Sequence, residues 1–365
     1  MLPLENVRVL DTTQNVAGPY AAMILAELGA EVVKIEPPQG DATKHWGPPF
    51  WNGISPTYMA LNRNKTKITL DLKTKEGLAK IKELLANTDV LLVSSRPGAM
   101  KRLGLDYDAL KATFPKLVYA ELTAFGNTGP RANEPGYDPL MQAMGGIMSV
   151  TGLPELEPIR VGVSIIDKTT GLWTALGVLS ALRLRDQTGH GHKVDTSLYE
   201  TAVSWMDIHF AVYWASGVPP RGWGSGASMI APYEAFPTSN GWIIIAAGND
   251  NLFQKLSAAL GHEEWSSDPR FATNASRVAN RVELKRLISE VTKTKSTKDL
   301  ESHLMSLEVP AAGVLNLAEI SQEPQLKELG IIQSIHHESI PDFRSVGLPL
   351  SIDGRRPPLR RPPPV

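Results

Sequence analysis

Short runs of aliphatic and β-branched residues alternate with helix-patterned stretches through the first third of the chain, and this alternation constrains the fold more than any other feature. Val7–Asp11 ("VRVLD") has the character of a buried strand, and "GPYAAMILAELGA" follows as a helix with Pro19 in its first turn and Gly29 near its end. "EVVKIEPP" is the next strand, stopped by Pro37 and Pro38. Thr74–Thr88 is helical and leads into "DVLLVSS", and "DYDALKATFP" leads into "LVYAEL". Strands separated by helices rather than by tight hairpins predict a parallel α/β sheet covered on both faces.

Further on, "TTGLWTALGVLSALRLR" is apolar on nearly every face, which predicts a core helix. "TGHGHKVD" turns back into a strand, "VDTSL", and "ETAVSWMDIHFAVYWASG" forms another helix rich in aromatics. Pro219 and Pro220 before "RGWGSGAS" mark a break, beyond which come a strand, "GWIIIAAGND", and helices at Asn251–Leu260, Val282–Thr292 and Lys298–Ser306. The tail "GRRPPLRRPPPV" is polyproline-like. With 365 residues, two domains are expected rather than one core.

Several functions are disfavoured at once. The net charge of -1 provides no basic field for nucleic acid or a membrane surface, and the longest apolar stretch is far too short to span a bilayer. With no cysteine there are no disulfides, thiolate metal sites or cysteine nucleophiles, which fits a reducing compartment, with the cytoplasm expected. The apolar run at the N-terminus lacks the form of a signal peptide. No G-x-G-x-x-G follows the first strand, and there is no Walker lysine loop, H-E-x-x-H or G-x-S-x-G. His190 and His192 lack a third ligand nearby and are expected in a solvent turn rather than at a metal, as are His336 and His337.

What remains are loops at strand ends. "TTQNVAGPY" (12–20) opens a helix whose free N–H groups could meet an anion, or it is an ordinary turn. "NRNKTKITLDLK" (62–73) carries Arg63, Lys65, Lys67 and Lys73, and a strand there would set the three lysines on one side, as a solvated face or a phosphate site. "SSRPGAMKRLGL" adds Arg96, Lys101 and Arg102 where α/β sheets place ligands. Asp167 lies between two apolar runs in "VGVSIIDKTTGLWTAL", either as a helix N-cap or as a reacting carboxylate.

Eight segments in order resemble the class III coenzyme A transferase family, the formyl-CoA transferase and carnitine CoA-transferase type. They are "RVLDTTQNVAGPYAAMILAELGAEVVKIEPPQGD", "NRNKTKITLDLK", "RPGAMKRLGLDYDAL", "FGNTGPRANEPGYDPLMQAMGG", "VSIIDKTTG", "RDQTGHGHKVD", "APYEAFPTSNGWIIIAAGN" and "DPRFATNASRVANR". The resemblance implies a split Rossmann-like parallel-sheet domain from residues 1–200 with 325–365, which binds CoA. It further implies a linker helix and glycine-rich loop at 201–226, a small α+β domain at 227–317, a returning linker at 318–324, and an interlocked homodimer. Family chains usually continue past an "RRPPP" segment into a Gly-Glu-His motif and a last helix, whereas this sequence stops at Val365. Either the chain is shortened or the tail diverges, and its packing against the first domain is open at this point.

The same resemblance makes Asp167 the nucleophile toward an acyl-CoA thioester, through an aspartyl anhydride and an aspartyl-CoA thioester. Coenzyme A and its esters are then substrates, no cofactor is held permanently, and the partner is a small carboxylic acid. A carboxylate of reference pKa about 3.9 is expected to be ionised at pH 7 without a base, helped by a helix N-terminus. Thr169, Thr170 and Gly171 are expected to form the close turn that exposes it. By family position the Val16 N–H is the oxyanion donor and Asn15 a neighbour of the sulfur, Tyr137 and Asp138 edge the site, and Trp46 is an acyl-pocket wall or simply core. Leu70, Lys73, Ser94, Arg102 and Leu103 would line the CoA path. Gly222, Gly224 and Gly226 would form a mobile loop over the reactive anhydride, or else a flexible linker.

Two rivals share the resemblance. An α-methylacyl-CoA racemase carries His where this chain has Tyr137, and a tyrosine of pKa about 10 is a poor proton shuttle near neutrality. A catalytically inactive CoA-binding relative is the other, against which the retained Asp167 argues.

Overall fold

The computed structural model describes residues 1–365, which form two compact units. The first comprises Met1–Ile147, Arg160–Ser216 and Pro324–Val365; the second comprises Met148–Ile159 and Gly217–Glu323. Residues 148–159, expected in the large domain, therefore belong with the second unit.

The first unit is built on β1 (Arg8–Asp11), β2 (Glu31–Glu36), β3 (Lys65–Thr69), β4 (Val90–Val93), β5 (Val118–Thr123) and β6 (Lys193–Ser197). All five pairings are parallel, and the strand order is β3-β2-β1-β4-β5-β6. β4 ("VLLV") is buried at every position, as a strand covered on both faces must be. Its helices are α1 (Ala17–Glu27), α2 (Pro56–Leu61), α3 (Lys75–Leu85), α4 (Ala99–Leu103), α5 (Tyr107–Leu110), α6 (Asp138–Met144) and α7 (Ile147–Val150), the last reaching into the second unit. They are followed by α8 (Ile165–Thr188), α9 (Leu198–Ser204) and α10 (Asp207–Ser216).

The chain order reverses between β1 and β4, so connections leave these neighbours in opposite directions and open a crevice at their carboxyl ends. α1 is almost wholly buried, and α8 lies against it. Gly171 permits this approach: a Cβ there would sit 2.5 Å from the Ala17 carbonyl oxygen. The expectation that α8 is core all round is corrected. Only the stripe Ile166, Thr170, Gly171, Thr174, Ala175, Val178, Ala181 and Leu182 is buried, while Leu172, Trp173, Leu176 and Leu184 are exposed. The predicted aromatic helix is two helices, α9 and α10, and α10 buries none of its residues.

The C-terminal segment is anchored on the first unit. Asn64, in the left-handed region with φ 61°, donates its backbone N–H to the Arg361 carbonyl at 3.0 Å. Its side-chain oxygen accepts from the N–H groups of Arg360 (2.6 Å) and Arg361 (2.8 Å). The Leu348 N–H donates to Glu27 at 3.0 Å. The final segment is thus hydrogen-bonded to the first unit at several points. Within it, His337 is buried, not in a solvent turn, and its Nδ1 accepts from the Ser339 N–H at 3.0 Å.

The second unit has an antiparallel sheet of β7 (Tyr233–Pro237), β8 (Trp242–Ala246) and β9 (Ala311–Gly313), with β8 central. Phe236, Ile243, Phe253, Trp265, Phe271, Leu284 and Leu304 fill its core. Arg277 is buried there, satisfied by the carbonyls of Ala231, Phe271 and Gly248 and by Asp250. The glycine-rich loop makes several identifiable contacts within this unit. Gly224 donates its N–H to the Gly152 carbonyl at 2.7 Å, and a Cβ on Gly222 would meet that same oxygen at 2.2 Å. Trp223 is flanked by the guanidinium groups of Arg221 (4.5 Å) and Arg281 (4.2 Å), and Arg281 also donates to the carbonyls of Ala227 and Ser228.

Candidate active site

The crevice at the reversal point is a cleft of about 220 Å³ walled by three strand-end loops. Gln14 to Gly18 follow β1, Ser94 to Pro97 follow β4, and Thr123 and Ala124 end β5. Trp46, Gly136 and Tyr137 add further wall, and Asp167 from α8 faces the same space. Asn15, Val16, Trp46, Ser94, Tyr137 and Asp167, each singled out from sequence, therefore meet in one cavity. Trp46 and Tyr137 are substantially exposed, so the reading of Trp46 as core is corrected.

Asp167 is not the N-cap of its helix. Ser164 holds that position, Asp167 lies inside the first turn, and Thr169, Thr170 and Gly171 are helical rather than a turn. The capping acceptor comes from elsewhere in the chain: Asp138 Oδ2 accepts the N–H groups of Ile166 (2.8 Å) and Asp167 (3.2 Å). Asp138 is only 3% exposed, and its other oxygen accepts from Gln142 Nε2 at 2.6 Å. The Asp167 carboxylate itself receives no hydrogen bond from the protein. Burial first, and then the Asp138 charge, push its pKa up to about 7. Burial first, and then a second carboxylate at that helix end, therefore work against the full ionisation expected from the residue type alone.

The opposing wall is closely packed. Val16 caps α1 without a side-chain partner, so the N–H groups of the first turn have no acceptor within the helix. Asn15 adopts φ 66°, and Gly18 has no room for a Cβ, which would fall 2.3 Å from that of Thr13. Beneath this loop is a network of buried charges. Asp11 Oδ1 accepts from the Thr13 N–H at 3.0 Å and from its hydroxyl, and Lys34 donates to the Thr13 carbonyl at 2.9 Å. Lys65 donates to Asp11 (3.0 Å), Asn62 (3.0 Å) and the Pro19 carbonyl (2.9 Å), while Lys34 pairs with Asp41 at 2.8 Å. Burial alone would raise Asp11, but Lys65 and Lys34 hold it below the usual carboxylate range. Burial pulls Lys65 down to about 8 against the attraction of Asp11.

Lys65 is therefore no phosphate ligand, and the lysines at 65, 67 and 73 do not share an open face. Lys65 points inward, while Lys73 lies beyond the end of β3 in a turn, its N–H on Asp71. Leu70, Lys73, Arg102 and Leu103 are not walls of the cleft, although Leu70 and Leu103 pack against one apolar cluster with Ile35, Ile81 and Met100. Gly222, Gly224 and Gly226 belong to the second unit. His192 contacts Thr188 at 3.3 Å, and no cluster of three or more His, Cys, Asp or Glu is placed to hold a metal. Sequence reasoning missed Gln142 and the capping role of Asp138. Their i, i+4 spacing on one helix in "DPLMQ" was the available signal.

Residues 4–365 match the family model described as CoA-transferase family III. The chain is 36% identical over 353 residues to a succinate–glutarate CoA-transferase of Agrobacterium fabrum, covering 94% of this chain and 88% of that protein. It is 35% identical over 344 residues to a succinyl-CoA–D-citramalate CoA-transferase of Chloroflexus aurantiacus, covering 94% of this chain and 86% of the relative. A crystal structure of a CaiB/BaiF family protein from Brucella suis superposes with a TM-score of 0.90 at 38% identity, covering all of this chain and 96% of that one. With a carboxylate facing a cleft at the sheet's reversal point and a family match along nearly its whole length, the chain belongs to CoA-transferase family III.

Proposed function

We propose that this enzyme moves CoA from an acyl-CoA thioester to a free carboxylic acid with Asp167 as the covalent relay. The observation that carries this reading is the Asp167 carboxylate, free of protein hydrogen bonds and facing a cleft shared with the uncapped first turn of α1. The ionised carboxylate attacks the thioester carbonyl, and the tetrahedral oxyanion accepts N–H donors at Val16 and the start of α1. Collapse expels CoA thiolate and leaves a mixed anhydride on Asp167. The thiolate attacks the aspartyl acyl carbon, releasing the donor acid and forming an aspartyl-CoA thioester. The acceptor carboxylate attacks this carbon in turn, giving a second anhydride and free thiolate. Attack of that thiolate on the acceptor's acyl carbon yields the new thioester and restores Asp167. No net proton or redox equivalent is required.

Dicarboxylic acids are the substrates to test first, with succinyl-CoA as donor, because the two relatives above are named for such acids. Ser94, Lys73, Arg102, Leu70 and Leu103 are assigned to the CoA path, and Asn15, Trp46 and Tyr137 to the acyl end. Gly222, Gly224 and Gly226 are assigned to shielding the anhydride. The working unit is a homodimer, since α10 exposes Ile208, Tyr213 and Trp214 to solvent in a single chain, Trp214 by 75%. No helix is long and apolar enough to cross a membrane, and a chain without cysteine suits the cytoplasm.

The test is mass spectrometry of the Asp167 peptide after mixing with succinyl-CoA and quenching into hydroxylamine. A hydroxamate at Asp167, absent without the acyl-CoA, is expected. Transfer activity with no modification at that residue would remove the relay.

A further inference from the structure

Asp138 is a buried carboxylate with no cation beside it. Its charge is met by three N–H donors alone: Gln142 Nε2 at 2.6 Å, Ile166 N at 2.8 Å and Asp167 N at 3.2 Å. Gln142, itself fully buried, closes the arrangement, with its Oε1 accepting from the Val161 N–H at 2.8 Å and its Nε2 lying 3.3 Å from the Val161 carbonyl. The amide donates to the carboxylate through its nitrogen and accepts from the backbone N–H through its oxygen, which an ionised carboxylate in its place could not do. The pair thereby holds both Val161 and the first turn of α8 that follows it. Asp138 also occupies the positive end of α8, which would otherwise stabilise the negative charge of Asp167.

We propose that Asp138 and Gln142 form a buried clasp that aims the Asp167 carboxylate into the cleft and keeps it a weakly stabilised, reactive anion, with Gln142 a positioning residue acting through Asp138. The proposal rests on the reading of Asp167 as nucleophile. The elevated pKa of Asp167, about 7, agrees with it. The other ionisable groups nearby are Lys168 and Tyr20, whose ammonium and ring stand 5.6 Å apart, and Arg96, Glu134 and Tyr137 in the cleft wall, with Glu134 paired to Arg131 at 3.2 Å.

The test uses the full chain carrying Asp138→Asn, Gln142→Glu, or both. Asp138→Asn alone sets amide against amide, and Gln142→Glu alone sets carboxylate against carboxylate. The double variant restores a donor–acceptor match while moving the charge away from the end of α8. Each single variant is expected to lose at least about tenfold in kcat with the acyl-CoA KM little changed, and the double to recover most of it. The acidic midpoint of kcat/KM should fall by about one pH unit or more in Asp138→Asn and in the double. Gln142→Asn, which shortens the amide without altering charge, should lower kcat and leave that midpoint in place.

A readout that needs no turnover accompanies these: carboxyl-¹³C NMR titration of aspartate-labelled protein, with the Asp167 signal identified by its loss in Asp167→Asn. It should show the same downward shift. An unmoved midpoint, or a double variant no better than the singles, overturns the clasp. If the NMR midpoint moves but Asp167→Ala still transfers CoA, the clasp stands and the nucleophile reading falls. If the midpoint is unmoved and Asp167→Ala is inactive, the reverse holds.

Discussion

Asp167 faces the cleft while Asp11 is buried beneath the loop that walls it opposite, and the fold treats these two carboxylates in opposite ways. Asp11 is surrounded by two buried lysines and a threonine, and its pKa is lowered. Asp167 is given no cation and no hydrogen bond, faces Asp138, and has its pKa raised. Fully compensated charges lock a loop in place but are chemically quiet. An uncompensated carboxylate is costly to ionise, and that cost makes it reactive. Under the proposed relay, the loop offering N–H donors needs a fixed geometry, whereas Asp167 needs to stay unsatisfied.

The largest effect that could break this contrast is on turnover. Asp167→Ala should lower kcat by about 10³-fold or more while CoA-ester affinity, measured calorimetrically, changes only a few-fold. Full activity in that variant would make Asp167 as quiet as Asp11. On the other wall, Lys65→Met leaves Asp11 buried beside an apolar chain and should cost about 3–5 kcal/mol, seen as a fall of roughly 10 °C in Tm. An unchanged Tm would mean the network is not holding the loop.

Titration sharpens the comparison. With Asp167 near pKa 7, kcat/KM should fall about tenfold per pH unit below neutrality, reaching roughly 100-fold at pH 5. A rate flat to pH 5 would show an ordinary carboxylate. Gly171→Ala forces α8 from α1, since its Cβ would stand 2.5 Å from the Ala17 carbonyl, and should cost about 1–3 kcal/mol in thermal stability along with part of the turnover.

The smallest effect concerns the cost of the nucleophile itself. A folded-state pKa near 7 against about 3.9 unfolded means that the folded state binds the extra proton between these values. Stability is therefore lost as pH rises through that window, and Asp167→Asn removes the loss. Because Asp167 is only partly buried, solvent screening removes much of the roughly 4 kcal/mol that shift would imply. The variant should melt about 2–4 °C above the parent at pH 8 and equal it near pH 4.

Much of the frame was legible in the sequence. "DVLLV" announced a central strand because a strand covered on both faces is apolar throughout, and Val7–Asp11 and "EVVKIE" announced its neighbours as short β-branched runs alternating with helices. The loops after β1 and β4 could be picked out because ligands bind at the carboxyl ends of such strands, while Asn15, Val16, Ser94 and Trp46 were named individually through the family resemblance. Other readings failed where a contact came from far along the chain. Lys65 looked like a surface cation, yet its partner Asp11 lies 54 residues away. The apolar α8 looked like a core helix because periodicity cannot say whether a greasy face meets this chain or another.

By itself the sequence determined the alternation of strands and helices, the family, and the residue types available to the cleft, because hydrophobic periodicity and ordered motifs are local properties. Tertiary structure alone decided that Asp138 would cap the helix of Asp167, that Gln142 would hold Asp138, and that burial and a neighbouring carboxylate would push the Asp167 pKa up to about 7. A pKa depends on burial and on neighbours across space, and the neighbour here lies 29 residues back along the chain, brought beside Asp167 only when α6 and α8 pack together.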